Sequence, residues 1–166
     1  MVTKNATKTA STTKTATERV SATHDNIKGA GTKIPTAMIP RDLYADTVRL
    51  AAYNKIKKTG PQSDSAILRE ALTALMKHVG FKPGATDILA TPKPIYAKKL
   101  AAIHQDAQLE GGMRKTFSVS TTDYEDAEAF ASYNKLHGLQ PKNISQLCRD
   151  ALTYYISTIP YKFRPE

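Results

Sequence analysis

Four histidines and one cysteine are the residues of this chain best suited to nucleophilic, proton-transfer or metal chemistry, and their spacing serves none of it. His24, His78, His104 and His137 share no ligand spacing, and no carboxylate pair brackets them. No Gly-rich phosphate loop and no nucleophile elbow occurs. Cys148 falls on an apolar helical stripe, where a free cysteine is ordinarily a packing residue. A single cysteine also excludes a disulfide framework and a Cys-rich zinc site. The expectation is a protein that is not an enzyme and takes neither cofactor nor metal. What the chain does hold in quantity is positive charge. Its 166 residues carry 24 Lys and Arg against 15 Asp and Glu, a formal net charge of +9. Such a balance favours a polyanionic partner, nucleic acid or an acidic membrane surface. No apolar run approaches the ~20 residues that span a bilayer. The first twenty residues lack the apolar stretch of a secretory signal. The expected setting is therefore cytoplasmic and without membrane attachment.

The elements that would position these charges divide by composition. Residues 1–33 are rich in Thr, Lys and Ala, and no large apolar residue recurs there at helical or strand spacing. Such a stretch buries too little to offset its ordering entropy, so it reads as a disordered basic arm. The arm holds six Lys or Arg against Glu18 and Asp25. Its expected role is either a solubilising tail or a polyelectrolyte arm that adds non-specific phosphate contacts. Over the whole chain hydrophobic residues make up 40% and aromatics 7%, with no Trp, so any core must be small and mainly aliphatic.

A repeat organises the remainder. Displaced by 80 positions, segment 36–76 matches segment 116–156 without a gap and is identical at thirteen of forty-one positions. The identities include Thr36/Thr116, Tyr44/Tyr124, Asn54/Asn134, Pro61/Pro141, Ser65/Ser145, Arg69/Arg149 and Leu72/Leu152. Each copy opens with strand alternation, Thr36 to Ile39 or Thr116 to Val119. Ala37 and Ile39, or Phe117 and Val119, then share one side. Pro40 and Ser120 end the strands and open helices over 41–57 and 121–137. Gly60-Pro61, and Gly138 through Pro141, stop them. Second helices follow over 64–79 and 144–157, with apolar stripes through Ile67, Leu68, Ala71, Leu72, Leu75, Met76 and Val79 and their equivalents. Ser63 and Asn143 occupy the N-caps, and Gln146 completes a capping-box pattern.

One strand and two helices cannot close a core alone. Two copies can: their strands pair as an antiparallel ribbon, and four helices pack beneath its apolar face. The expected fold is mainly α with a two-stranded antiparallel ribbon, arranged as a pseudo-dimer within one chain. The first unit spans 34–79 and the second 114–160, with a tail over 161–166. The linker 80–113 contains a helix near 95–109, whose apolar residues Tyr96, Leu100, Ile103 and Ala107 suit a strap on the core. Gly111-Gly112 reads as its stop.

This strand–helix–helix layout resembles the ribbon-helix-helix family of repressors, Arc, MetJ and CopG among them. The likeness is closest in Arg114-Lys115-Thr116-Phe117-Ser118-Val119-Ser120 and in Ser145 to Leu152, and covers about 90 of the 166 residues. Pro35 and Lys115 depart from the family pattern, standing where an apolar residue usually begins the inner face. Two such units in one chain are similar to relaxosome accessory proteins of conjugative plasmids, of the TraY type; some viral transcription regulators share the layout.

The resemblance implies double-stranded DNA as partner, with the ribbon in the major groove and its outward side chains on base edges. By position the readers are Ile34, Thr36 and Met38 from one strand and Arg114, Thr116 and Ser118 from the other. The implied phosphate contacts are Lys33, Ser63, Ser65, Lys115, Lys142, Asn143 and Ser145, grouped at the strands and at the second-helix N-termini. Asp64 is unfavourable beside a phosphate and weakens that clamp in the first copy. A relaxase or other transfer or partition protein is a candidate further partner, as is a second copy of the chain on DNA. Two alternatives stand beside this reading: an antitoxin with a toxin-binding segment, and a protein-interaction scaffold that does not bind DNA.

Overall fold

A computed structural model describes residues 31–107 and 111–160. Residues 1–30, 108–110 and 161–166 lie outside the described residues, and with them most of the expected arm, the last residues expected in the linker helix and the expected tail. The described part is mainly helical with a small antiparallel ribbon. In chain order it runs β1 (Thr32–Lys33), β2 (Thr36–Pro40), α1 (Arg41–Lys57), α2 (Asp64–Val79), α3 (Pro94–Asp106), β3 (Gly112–Thr116), β4 (Val119–Ser120), α4 (Thr121–Leu136) and α5 (Ile144–Thr158).

One register runs the length of the ribbon. Thr36 lies opposite Thr116, Met38 opposite Arg114 and Pro40 opposite Gly112, while Thr32 lies opposite Ser120. The Phe117 amide donates to the Pro35 carbonyl at 3.0 Å, bridging the two short ladders. Equivalent positions of the repeat, Thr36 and Thr116, thus face each other. The pleat sends Pro35, Ala37, Ile39, Phe117 and Val119 inward, and all five are buried. They roof a core in which α2 packs against α5, through Ile67, Leu68, Leu75, Leu147 and Leu152.

Local signals explain the helix ends. Ser63 Oγ and Asn143 Oδ1 accept from the backbone amides of Ala66 and Gln146 (3.1 and 2.9 Å), capping α2 and α5. The Gln146 side chain accepts from the Lys142 amide, one residue before the cap. Asn54 donates from Nδ2 to the Pro61 carbonyl at 2.8 Å, and Asn134 to the Pro141 carbonyl at 3.2 Å. These matching bonds hold each inter-helix loop against the helix before it. They give the identical Asn and Pro of the two copies a physical reason.

Several boundaries differ from the sequence expectation. The ribbon is longer than four residues a strand: Thr32 and Lys33, assigned to the arm, pair with β4. Gly112, expected to stop the linker helix with Gly111, instead opens β3 opposite Pro40. The helix itself is Pro94–Asp106, ending at Ala107. Its Tyr96, Leu100 and Ile103, with Ala107, are buried. The Tyr96 ring meets Phe130 and Tyr133 edge-on, at 6.3 and 5.6 Å between centroids.

Candidate nucleic-acid interface

The ribbon has two faces of opposite character. Because side chains alternate, the residues between the buried ones all point away from the core. Ile34, Met38, Arg114, Thr116 and Ser118 are exposed there, with Thr36 half-buried at the centre. Ile34 keeps 68% of its surface and Met38 40%. The register sets Met38 beside Arg114 at one end and Thr36 beside Thr116 at the middle. Carried on, it sets Ile34 beside Ser118 at the other end. The six residues expected to read bases are thus brought together on one open face.

The edges of that face are tied to the second helices, and each tie crosses between the copies. The Met38 amide donates to Ser145 Oγ at 3.1 Å. The Ser118 amide donates to Ser65 Oγ at 2.9 Å. Both serines stand in the first turn of their helix, so each helix N-terminus is fixed beside an end of the ribbon. Ser65 and Ser145 therefore act first as anchors for the ribbon backbone, and Ser63 and Asn143 as caps. Sequence reasoning grouped all four as phosphate contacts and missed the anchoring. The matched spacing of Ser65 and Ser145 was its only signal.

The charged residues are distributed unevenly. Arg114 projects from the outer face, and Lys142 is exposed just before the α5 cap. Lys33 and Lys115 are on the other side. They have the parity of the buried residues, and their ammonium groups lie over aromatic rings: Lys115 Nζ is 4.2 Å from the Tyr44 ring centre and Lys33 Nζ 6.0 Å from that of Tyr124. An inward lysine is tolerated because its stem covers apolar surface while its charge rests on the π face. At the α2 N-terminus the Asp64 carboxylate accepts from the Tyr44 phenol (3.1 Å) and from the Ser65 amide (2.6 Å). Burial, together with the bond to Asp64, holds the Tyr44 phenol above its usual pKa. A carboxylate thus occupies the anion-favouring end of α2, whereas Ile144 stands at the same place in α5.

Away from the ribbon, the remaining chemistry is structural in setting. Cys148 is buried, and burial pushes its thiol up to about 12. His104 Nδ1 lies 2.7 Å from Asp150 Oδ2, linking α3 to α5. Burial raises the Asp150 pKa against the opposing pull of His104 and Arg149. Among the described residues no group of three or more His, Cys, Asp or Glu could hold a metal ion. No helix among them is long and apolar enough to cross a membrane. No family model, curated protein or solved structure matches the chain.

Proposed function

We infer that this chain binds double-stranded DNA by laying the outer face of its ribbon in the major groove. In this reading it is two ribbon-helix-helix units joined as a pseudo-dimer. It works on a mobile element as a DNA-transfer accessory factor or a transcriptional repressor. A single observation carries the reading: one two-stranded ribbon turns six side chains of alternating position to solvent, Arg114 among them, while its other face is buried. A two-stranded β-ribbon fits the major groove, where Arg pairs with guanine, Thr and Ser bond to any base and apolar groups meet thymine methyls. Lys142 and the amides at the second-helix N-termini are the proposed phosphate contacts. The basic excess of the chain supplies the long-range attraction.

The test is titration of a fluorescent duplex at physiological salt, followed by selection of sites from a random duplex pool. Enrichment of a defined sequence is the expected result. Absence of binding refutes the reading and favours the scaffold, and binding equal for all sequences refutes base readout by the ribbon. Light scattering on dilute protein should give a folded mass near that of one chain, since both strands come from one molecule. Obligate dimerisation, with unfolding on dilution, would contradict the intrachain pseudo-dimer.

A further inference from the structure

The repeat has a helix packed over one half of the molecule and, among the described residues, none over the equivalent half. On the second copy, α3 lies in a groove formed by α4, α5 and the end of α2. Its Tyr96 phenol donates to Asn134 Oδ1. Lys99 Nζ donates to the His78 carbonyl at 2.7 Å, and His104 meets Asp150. Beneath it Tyr133, Asn134 and Asp150 are all buried, at 5%, 0% and 1% exposure.

Displacement by 80 positions carries Phe130, Tyr133, Asn134 and Asp150 onto Leu50, Tyr53, Asn54 and Glu70. These four line a groove of about 330 Å³ on the first copy, with Tyr155 and Ile159 on its far wall. Here Leu50 and Asn54 are buried at the groove floor, at 3% and 8% exposure, whereas Tyr53 is half-buried and Glu70 is exposed. Glu70 accepts only a long bond from the Tyr155 phenol, at 3.3 Å, among the described residues. Asn54 uses its amide nitrogen on Pro61 as Asn134 does on Pro141. Its Oδ1, however, has no donor among the described residues, where the equivalent oxygen receives Tyr96.

We propose that this groove is a docking site for an amphipathic helix of a partner protein built on the chemistry of α3. Such a helix carries an aromatic hydroxyl for Asn54 Oδ1, apolar residues four and seven positions later, and a basic residue one further on for Glu70. The chain itself supplies the template, because the matching groove already holds such a helix with these contacts. Charge agrees: an exposed carboxylate sits where the buried Asp150 meets His104. The proposal does not depend on DNA binding, since the groove lies away from the outer face of the ribbon.

A synthetic peptide of residues 93–107, the chain's own α3, is the probe. It should bind the full chain saturably at one site, perturbing the NMR signals of Leu50, Tyr53 and Glu70. Replacing the peptide residue that corresponds to Tyr96 by Ala should weaken binding roughly tenfold or more, as truncation of an aromatic anchor does. Glu70→Lys in the protein should weaken it about two- to fivefold, the range of an exposed ion pair. Absence of saturable binding overturns the proposal. So do perturbations confined to Phe130 and Tyr133, which mean that the peptide only exchanges with α3. Binding that emerges only after removal of residues 161–166 overturns it too, and assigns the groove to the chain's own C-terminal segment.

Discussion

Replacing Arg114 by Ala should remove sequence discrimination at one end of the DNA site and leave the fold untouched. Arg114 is exposed on the outer face, its neighbours there are Met38 and Thr116, and no ion pair holds it among the described residues. An exposed substitution of this kind changes stability by within about 0.5 kcal/mol, so any weakening of binding reports the missing guanidinium rather than a damaged fold. The position equivalent to Arg114 in the other strand is Ile34, which cannot pair with guanine. Four residues along a strand at ~3.4 Å each put Arg114 and Ser118 about 14 Å apart, roughly four base-pair steps. If the ribbon reads DNA as proposed, the preferred site should be non-palindromic, with a guanine demanded near one end and thymine methyls favoured under Ile34 and Met38. A bidentate arginine–guanine pair contributes about 1–3 kcal/mol of discrimination, so Arg114→Ala should weaken the selected site by about 5- to 150-fold. Random duplex should be far less affected. Lys142→Ala, by contrast, should weaken all sequences alike and make the salt dependence shallower by about 0.9 in slope. Anisotropy titrations on selected and scrambled duplexes at several salt concentrations read both effects. Palindromic selected sites, or equal weakening on both duplexes for Arg114→Ala, would refute the assignment.

Removal of residues 1–30 should leave thermal unfolding unchanged and flatten the salt dependence of DNA binding by about 0.9 for each phosphate the arm had neutralised; an unchanged slope would reduce the arm to a tail. Asn134→Ala orphans the buried Tyr96 phenol and the Pro141 carbonyl and should cost about 2–5 kcal/mol in denaturant unfolding, against about 1 kcal/mol for Asn54→Ala, which strands only the Pro61 carbonyl. Lys58 caps α1 in the left-handed region (φ 54°), where its equivalent is Gly138, so Lys58→Gly should raise stability by about 0.5–1 kcal/mol in the same assay. Cys148, with its thiol pushed up to about 12, should react with thiol reagents at pH 8 only as fast as the protein opens; reaction at the rate of a free thiol would mean the core is not closed there.

The second helices were legible in the sequence because two independent signals agreed on each. An apolar stripe from Ile67 to Val79 begins just after a capping Ser63, and the same coincidence recurs behind Asn143. Strand alternation likewise separated Ala37 and Ile39 from Thr36 and Met38, and so marked the outer face. What failed was punctuation. Gly111-Gly112 reads locally as a helix stop, yet Gly112 is recruited into the ribbon because the register requires a residue opposite Pro40. Such a demand is set by a partner far away in the chain and leaves no local trace. Lys115 was legible in part: strand parity already placed it on the inner face, but not over Tyr44, a ring that only the folded helix brings within 4.2 Å. The Asn54–Pro61 and Asn134–Pro141 bonds were visible only as an unexplained identity.

The deeper consequence of the repeat lies in how its halves are tied. Met38 of the first copy is anchored by Ser145 of the second, and Ser118 of the second by Ser65 of the first. Each copy therefore lacks a helix end to fix its own strand, and the ribbon exists only where both are present. In a dimer of identical chains, that mutual dependence forces both half-sites to be the same. In one chain the framework residues can stay matched while other positions diverge. Pairs that differ in chemistry include Ile34 and Arg114 on the outer face, Asp64 and Ile144 at the helix ends, and Leu43 and Asp123, and Val48 and Glu128, on the first helices. Thr36/Thr116, Asn54/Asn134, Pro61/Pro141 and Ser65/Ser145, which hold the ribbon and loops, do not differ. Identity kept at these ties, with divergence at Ile34/Arg114 and Asp64/Ile144, gives one framework two chemically unlike ends.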